Sequence, residues 1–161
     1  MNLEKFKNIL VTGGLGFIGS NLIRKLLLFT NHKIFNIDFN GYASDSDSFQ
    51  DLLNTNNNYH DRYIYINANL SNLDQTKKAF DSIKPDLIFH LAAESHVDRS
   101  IDDPNPFVQS NIIGTFNLLE LSRFFYSNLS SKRKKEFRFI HISTDEVFGS
   151  LGEVGLFDEN S

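Results

Sequence analysis

Glycines placed close together at the start of the chain set the first chemical expectation. Residues 12–20 read TGGLGFIGS. Gly14, Gly16 and Gly19 satisfy G-x-G-x-x-G, while Gly13, Gly16 and Gly19 satisfy the wider G-x-x-G-x-x-G. The three glycines of such a motif meet separate demands: a tight turn, close approach of backbone to a pyrophosphate, and close packing of helix on strand. A helix opening after the turn aims its free N–H groups at the anion, and its dipole favours negative charge there. Glycines also cluster in ordinary turns, so context has to decide. Here the stretch follows a strand-like run and opens a helix-like one. It is answered by Asp38 at the end of the next strand-like run, about 20 residues beyond the last glycine, as the dinucleotide fingerprint requires. A carboxylate at that point accepts both hydroxyls of an adenosine ribose and repels a 2′-phosphate. The plainer alternative is a structural turn with an unrelated surface aspartate; the combination favours dinucleotide binding, with NAD preferred over NADP.

The elements that must hold this turn follow from hydrophobic periodicity. Asn8–Thr12 reads as a buried strand, and Phe17–Phe29 carries apolar residues at helical spacing. A second strand covers Lys33–Ile37 and ends at Asp38. Asn40–Ser48 is polar and rich in Ser and Asp, a weak helix signal reaches Leu53, and Asn54–Asn58 has the composition of a turn. Tyr63–Ile66 alternates as a third strand, and Leu73–Ile83 reads as a helix with Ser71 as its N-cap. Pro85 introduces a fourth strand over Asp86–Leu91, a long helix follows from Pro106 to Tyr126, and Arg138–Ser143 is the fifth strand. This alternation predicts an α/β fold: a doubly wound parallel sheet, Rossmann-like, with strand order 3-2-1-4-5. No repeat or linker divides the chain, so residues 1–161 read as one NAD-binding domain. A complete dinucleotide fold usually adds a sixth strand, and a substrate needs its own region. The polar tail after Ser143 offers neither. The expectation is a domain incomplete at its C-terminus, with the substrate domain absent.

Composition bounds the remaining possibilities. With 40% hydrophobic and 22% charged residues, the chain falls in the globular range and can bury a core. The formal net charge of −4 argues against nucleic acid or an anionic membrane as partner. The absence of cysteine excludes disulfides, thiolate metal sites and a cysteine nucleophile. No apolar run approaches the roughly 20 residues of a membrane span, and the first residues lack the pattern of a signal peptide. A cytoplasmic location is the expectation. His32, His60, His90, His96 and His141 have no ligand-like spacing, so they read as structural or surface residues, with no metal site. Lys132–Lys135 (KRKK) reads as a solvated loop.

Two longer segments add a more specific signal. From Phe89 the chain reads FHLAAESHVDRSI, and from Ile142 it reads ISTDEVFGSLGE. Together with TGGLGFIGS these resemble the extended short-chain dehydrogenase/reductase family, and more narrowly they are similar to the dTDP-glucose 4,6-dehydratases. The resemblance implies NAD as cofactor and a nucleotide-activated hexose, dTDP-glucose, as substrate. It places Phe17 and Ile18 against the pyrophosphate, Asp38 on the adenine ribose, and the backbone of Phe39, Asn40 and Gly41 beside it. Asn69 and Leu70 would flank the adenine. Leu91, Ala92, Ala93, Glu94 and Ser95 would line the nicotinamide-side phosphate and ribose, with Ser95 also near the sugar. Ser110, at a position usually threonine, would touch the cofactor. Thr144 would hydrogen-bond the hexose, Asp145 would be the general acid and Glu146 the general base.

The chemistry implied by the resemblance accounts for those residue types. Hydride leaves C4 of the hexose, the resulting ketone acidifies the C5 proton, water departs from C6, and hydride returns to C6. Elimination then needs one charged and one protonated carboxyl close together. Adjacent Asp145 and Glu146 stand at the carboxyl end of the fifth strand, where open α/β sheets bind ligands. Thr followed by acids is also a common helix-start signal.

The departures from the family pattern matter as much. The family oxidises C4 with a Tyr-x-x-x-Lys pair. Here Tyr42, Tyr59, Tyr63, Tyr65 and Tyr126 are followed four positions on by Ser46, Tyr63, Asn67, Asn69 and Ser130. The expectation is the N-terminal part of such an enzyme, inactive alone. Asn69 replaces a usual aspartate, keeping an acceptor oxygen without its charge, and Phe39, Asn40 and Gly41 replace a bulkier, more basic segment. The helix carrying Phe107, Phe116, Phe124 and Phe125 joins a homodimer interface in the family. Rival readings are another nucleotide-sugar epimerase or decarboxylase of the family, or a non-catalytic NAD-binding module; the adjacent Asp145 and Glu146 favour dehydration.

Overall fold

The strand that follows the N-terminus, β1 (Asn8–Thr12), has apolar side chains for both of its faces, and that places it at the centre of a sheet. Ile9, Leu10 and Val11 are fully buried. Alternation sends Ile9 and Val11 into one core cluster and Leu10 into the other. In the computed structural model, which describes residues 3–41, 44, 45, 47–55, 57–150, 152 and 155–160, β1 is flanked by β2 (Lys33–Asp38) and β4 (Leu87–His90). Outside these lie β3 (Tyr63–Asn67) and β5 (Arg138–His141). Among the described residues the order is β3-β2-β1-β4-β5, parallel throughout. This is the Rossmann-like α/β arrangement expected from the alternation of elements.

The register carries the two-faced pattern across the sheet. Leu10 lies opposite Phe35 and Ile88, and all three contribute to one core cluster. Helix α1 (Phe17–Phe29) packs Ile23, Leu26 and Leu27 on the other face, joined by Leu52 and Leu53 of α2 (Gln50–Thr55). Opposite them, α4 (Leu73–Ile83) buries Ala79, Phe80 and Ile83 with Leu118 of α7 (Thr115–Ser127). Each such large side chain taken fully out of water contributes about 2–3 kcal/mol before entropy is charged against it. Crossovers on opposite sides of β1 leave a crevice at the carboxyl ends of β1 and β4, the topological switch point of this fold.

Several local expectations change. The N-cap of α4 is Asn72, whose Oδ1 accepts the Gln75 N–H at 3.1 Å. Ser71 is instead drawn back into a turn with Asn69. Where composition predicted a turn at 54–58, a helix α3 (Asn57–Arg62) begins. Arg62, only 8% exposed, stabilises it by donating to the carbonyls of Leu27, Thr30 and His32 at the end of α1. Helix α5 (Val97–Asp102) was not foreseen.

The single helix expected over Pro106–Tyr126 is three segments: α6 (Asn105–Phe107), a π-helical stretch Val108–Gly114, and α7. The basic run read as a loop is helix α8 (Ser131–Glu136), because Ser130 accepts the Arg133 N–H and the basic residues fall in its last turn. Arg133 also pairs with Asp86 at 2.7 Å. Asp86 itself leaves the strand, its carboxylate accepting from the Lys7 and Asn8 N–H groups. Strand β5 ends at His141, short of Ser143. Of the polar stretch 40–48, Tyr42, Ala43 and Ser46 lie outside the described residues, as do Asn56 of the expected turn and Leu151 and Glu153 of the last quoted segment. No helix of the described residues is long and apolar enough to cross a membrane.

Candidate functional site

The glycine turn runs from the end of β1 into α1, and its glycines divide the work. Gly13 adopts φ 72, and its N–H donates to the Ile37 carbonyl at 3.0 Å. A Cβ there would lie 2.6 Å from the Ala92 backbone, so the turn and the loop after β4 touch without side chains between them. Gly19 is equally constrained: its Cβ would stand 2.1 Å from the Gly13 oxygen, where α1 packs on the turn. Gly14 donates to Asn36 Oδ1 at 3.0 Å. Gly16, the N-cap of α1, is the open one and faces the cleft with Gly13. No side chain caps α1 at Gly16, which suits a helix start that receives an anion.

The side chains of Phe17 and Ile18 are 86% and 63% exposed and do not line the cleft; what they can offer a phosphate is first-turn backbone N–H. Gly19 does not line it either, because it is buried under the turn.

Asp38 faces the same cleft of about 280 Å³ from the end of β2. Its Oδ2 accepts the Leu15 N–H at 2.9 Å, and its Oδ1 accepts from the Asn40 N–H at 3.0 Å and the Ser44 hydroxyl at 3.2 Å. The carboxylate is thereby oriented by the glycine turn on one side and its own loop on the other. With about four acceptor positions on a carboxylate, capacity remains for a ligand hydroxyl. Phe39 and Gly41 line the cleft. Asn40 does not: it takes a left-handed conformation, φ 56, that asparagine tolerates and that turns the chain there.

Asn69 and Leu70, just beyond β3, form another wall. Asn69 Oδ1 accepts both the N–H and the hydroxyl of Ser71 at 2.9 Å. The acceptor oxygen credited to Asn69 from sequence is therefore engaged within its own turn. Asn117 of α7 holds the segment by donating to the Leu70 and Ser71 carbonyls at 2.9 and 3.2 Å.

The wall after β4 carries Leu91, Ala92, Ala93, Glu94 and Ser95, and Ser110 faces them from the π-helical stretch. Ala92 N–H donates to Thr12 Oγ1 at 3.3 Å, which lies 2.6 Å from His90 Nδ1; His90 Nε2 lies 2.8 Å from Thr115 Oγ1. Burial of the His90 ring, reinforced by neighbouring His141, lowers its pKa to about 4. A neutral imidazole offers one donor and one acceptor, matching its two hydroxyl neighbours. Asn111 binds the Glu94 backbone twice, accepting its N–H and donating to its carbonyl, both at 2.8 Å.

Thr144, Asp145 and Glu146 stand apart from this cleft. They follow β5, next to β4 in the sheet, and their side chains are solvent-exposed. Thr144 accepts the Glu146 N–H and donates to Asp145 Oδ1, each at 3.3 Å, opening a short 3-10 turn Asp145–Phe148. Among the described residues no group of three histidine or acidic side chains could hold a metal ion.

Cleft residues that the sequence did not single out include Ser44, Arg99 and Gln109, and His96, read from sequence as structural or surface, also lines the cleft. The supporting asparagines 36, 111 and 117 were missed as well. A polar amide inside an apolar strand or helix pattern was the available signal, since asparagine is unfavourable there unless its side chain is satisfied.

Comparison with known proteins agrees with this architecture. The family model described as GDP-mannose 4,6 dehydratase matches residues 10–161. A probable dTDP-glucose 4,6-dehydratase of Sinorhizobium fredii is 46% identical over 153 residues, covering 95% of this chain and 42% of the relative. The dTDP-glucose 4,6-dehydratase of Neisseria gonorrhoeae is 41% identical, covering 100% of this chain and 45% of the relative. The chain thus spans less than half the length of these curated relatives. Among solved structures, the dTDP-glucose 4,6-dehydratase of Bacillus anthracis in complex with NAD matches with a TM-score of 0.74 at 31% identity, over 95% of this chain and 42% of that one. The Streptomyces venezuelae enzyme with NAD bound gives a TM-score of 0.77 at 29% identity, over 95% and 44%.

Proposed function

The chain belongs to the GDP-mannose 4,6 dehydratase family, and from that premise we propose that it is the NAD-binding part of an enzyme dehydrating a nucleotide-activated hexose, dTDP-glucose. The observation that carries this reading is Asp38, fixed at the end of β2 by the Leu15 N–H and facing the cleft beside Gly13 and Gly16. The residues present fit the cofactor. Gly13 and Gly16 leave a backbone cradle for the pyrophosphate, and the uncapped start of α1 adds N–H groups and the dipole. Asp38 accepts the adenosine ribose hydroxyls and excludes a 2′-phosphate by charge. Asn69 and Leu70 take the adenine, while the wall from Leu91 to Ser95 and Ser110 takes the nicotinamide side.

NAD, when bound, supplies a hydride acceptor that returns the hydride at the end of the reaction. The chain's own contribution to elimination is the segment after β5. Thr144 positions the hexose through its hydroxyl, Glu146 removes the C5 proton, and Asp145 protonates the departing C6 hydroxyl. The 161 residues hold no tyrosine with lysine four positions on, so they do not supply that pair for oxidation at C4. We read residues 1–161 as one dinucleotide domain, inactive alone, of a cytoplasmic homodimer.

The test is calorimetric titration of the chain with NAD and NADP, followed by mass spectrometry after incubation with dTDP-glucose and NAD. Binding of NAD in preference to NADP, without conversion of the sugar, is expected. Equal binding of both cofactors, or of neither, would remove the reading; formation of a dehydrated sugar would remove the claim that the chain is inactive alone.

A further inference from the structure

Asp38 meets the cleft with most of its bonding already committed. Its backbone is fixed by the neighbouring strand, since its carbonyl accepts the Ala68 N–H at 3.2 Å and the Tyr65 hydroxyl at 3.3 Å. What remains free is rotation of the carboxylate, and both oxygens are held. Oδ2 accepts the Leu15 N–H at 2.9 Å; Oδ1 accepts the Asn40 N–H at 3.0 Å and the Ser44 hydroxyl at 3.2 Å. A carboxylate oxygen has about two acceptor positions, so Oδ1 is filled and Oδ2 keeps one. An adenosine ribose brings two adjacent hydroxyls, one more than that position can take.

Ser44 stands where a second acceptor is needed. Of the three donors to the Asp38 carboxylate it is the one that acts through a side chain, and it lines the cleft beside Asp38. A hydroxyl carries one proton and two acceptor positions. The Ser44 proton is committed to Asp38 Oδ1, which leaves its oxygen to act as an acceptor; donating to a carboxylate polarises it for that part. The loop that carries it is tied down as well. The Ser44 N–H donates to the Gly41 carbonyl at 3.1 Å, and the Asp45 N–H to the Leu15 carbonyl at 2.9 Å. Leu15 thus binds the Asp38 carboxylate and the Ser44 loop together.

We propose that Ser44 is a binding residue for the adenosine ribose: its Oγ accepts the 3′-hydroxyl, while Asp38 Oδ2 accepts the 2′-hydroxyl. The inference rests on the cofactor reading above, and it gives Asp38 one hydroxyl directly and the other through Ser44. Charge sets the order. The carboxylate that rejects a 2′-phosphate must face O2′, which leaves O3′ to the serine.

The test compares dissociation constants for ADP, 2′-deoxy-ADP and 3′-deoxy-ADP, by calorimetry, in the unsubstituted chain and in Ser44→Ala. In the unsubstituted chain each deoxy analogue should bind about ten-fold more weakly than ADP, the loss of one hydrogen bond. In Ser44→Ala, ADP and 3′-deoxy-ADP should bind within about two-fold of each other, because the acceptor for O3′ is gone. The deficit of 2′-deoxy-ADP should persist there, and Ser44→Thr, which keeps a hydroxyl, should restore the gap for 3′-deoxy-ADP. A gap between ADP and 3′-deoxy-ADP that survives in Ser44→Ala overturns the proposal and makes Ser44 only a support for Asp38.

Ser44→Gly gives the same comparison if Ser44→Ala does not fold. The unsubstituted chain is decisive in one direction without any variant: 3′-deoxy-ADP binding as tightly as ADP overturns the proposal. Failure of that chain to bind either NAD or ADP instead removes the cofactor reading, and this inference with it.

Discussion

Asn36, fully buried in β2, accepts the Gly14 N–H on its Oδ1 at 3.0 Å. Its Nδ2 donates to the Tyr63 hydroxyl at 3.0 Å, where burial pushes the phenol pKa up to about 12. The glycine turn is thus tied through one side chain to the first residue of β3. Asn36→Leu strands both the Gly14 N–H and the Tyr63 hydroxyl in the core. A loss of roughly 2–4 kcal/mol is expected from two unsatisfied groups, read as a lower urea midpoint. A midpoint within error of the unsubstituted chain would show that water or a neighbour satisfies both.

Asp38 is held by three donors, Leu15, Asn40 and Ser44. On the proposed cofactor reading, Asp38→Asn keeps the size of the side chain while removing the charge that would reject a 2′-phosphate and weakening acceptance from ribose hydroxyls. NAD affinity should fall about ten-fold, the equivalent of about 1.4 kcal/mol, with a smaller fall for NADP. Retention of the full preference for NAD in this variant would move the discrimination to another residue.

His90 makes stability depend on pH. Its ring is 1% exposed, and its pKa is lowered from 6.5 to about 4 by burial and by His141. Below about pH 6.5 the unfolded chain takes up a proton that the folded chain refuses until near pH 4, so stability present above that window is lost as pH falls through it. Between about pH 7 and pH 5 the loss from this residue is roughly 2 kcal/mol. His90→Leu, although less stable at every pH, should lose correspondingly less over the same interval. Parallel denaturation midpoints for the two chains across that range would contradict the assignment.

Arg62 provides a structural counterpart at the other end of the molecule. Its guanidinium donates to the Leu27 and Thr30 carbonyls at 2.7 and 2.6 Å, closing the end of α1. Arg62→Met retains most of the apolar stem and leaves those carbonyls without their donor. A cost of about 3 kcal/mol is expected, with hydrogen exchange quickening first in the last turn of α1 and in α3. Uniform loss of protection across the sheet instead would indicate that Arg62 supports the whole core.

The order of the strands, the turn with its glycines, and Asp38 at the end of β2 were all readable in the sequence, because each rests on local rules. Alternating elements impose right-handed crossovers, a turn without room for Cβ demands glycine, and an acidic residue about 20 positions beyond the glycines falls at the end of the next strand. The Asn72 cap, α3 and α8 were misread because Ser71, the asparagine-rich stretch and the basic run each allow more than one local structure. For α3 and α8 the selecting contacts came from residues distant in the chain, Arg62 reaching the end of α1 and Arg133 reaching Asp86. Ser71, by contrast, lost the cap to Asn72 because neighbouring Asn69 takes up its N–H and hydroxyl.

The same reason separates the two parts of the candidate site. Sequence named many of the residues that line the cleft, since contiguous motifs carry them. It also named Phe17, Ile18, Gly19 and Asn40, which do not line it, and missed Ser44, Arg99 and Gln109, which do. Only the tertiary structure brought Asn36 to Gly14, Asn111 to Glu94 and Asn117 to Leu70. Periodicity records which face of an element is buried, but an amide finds its partner through the folding of the whole chain. The sequence therefore determined which groups could meet a dinucleotide, and the packing of helices on the sheet decided which side chains hold them in place.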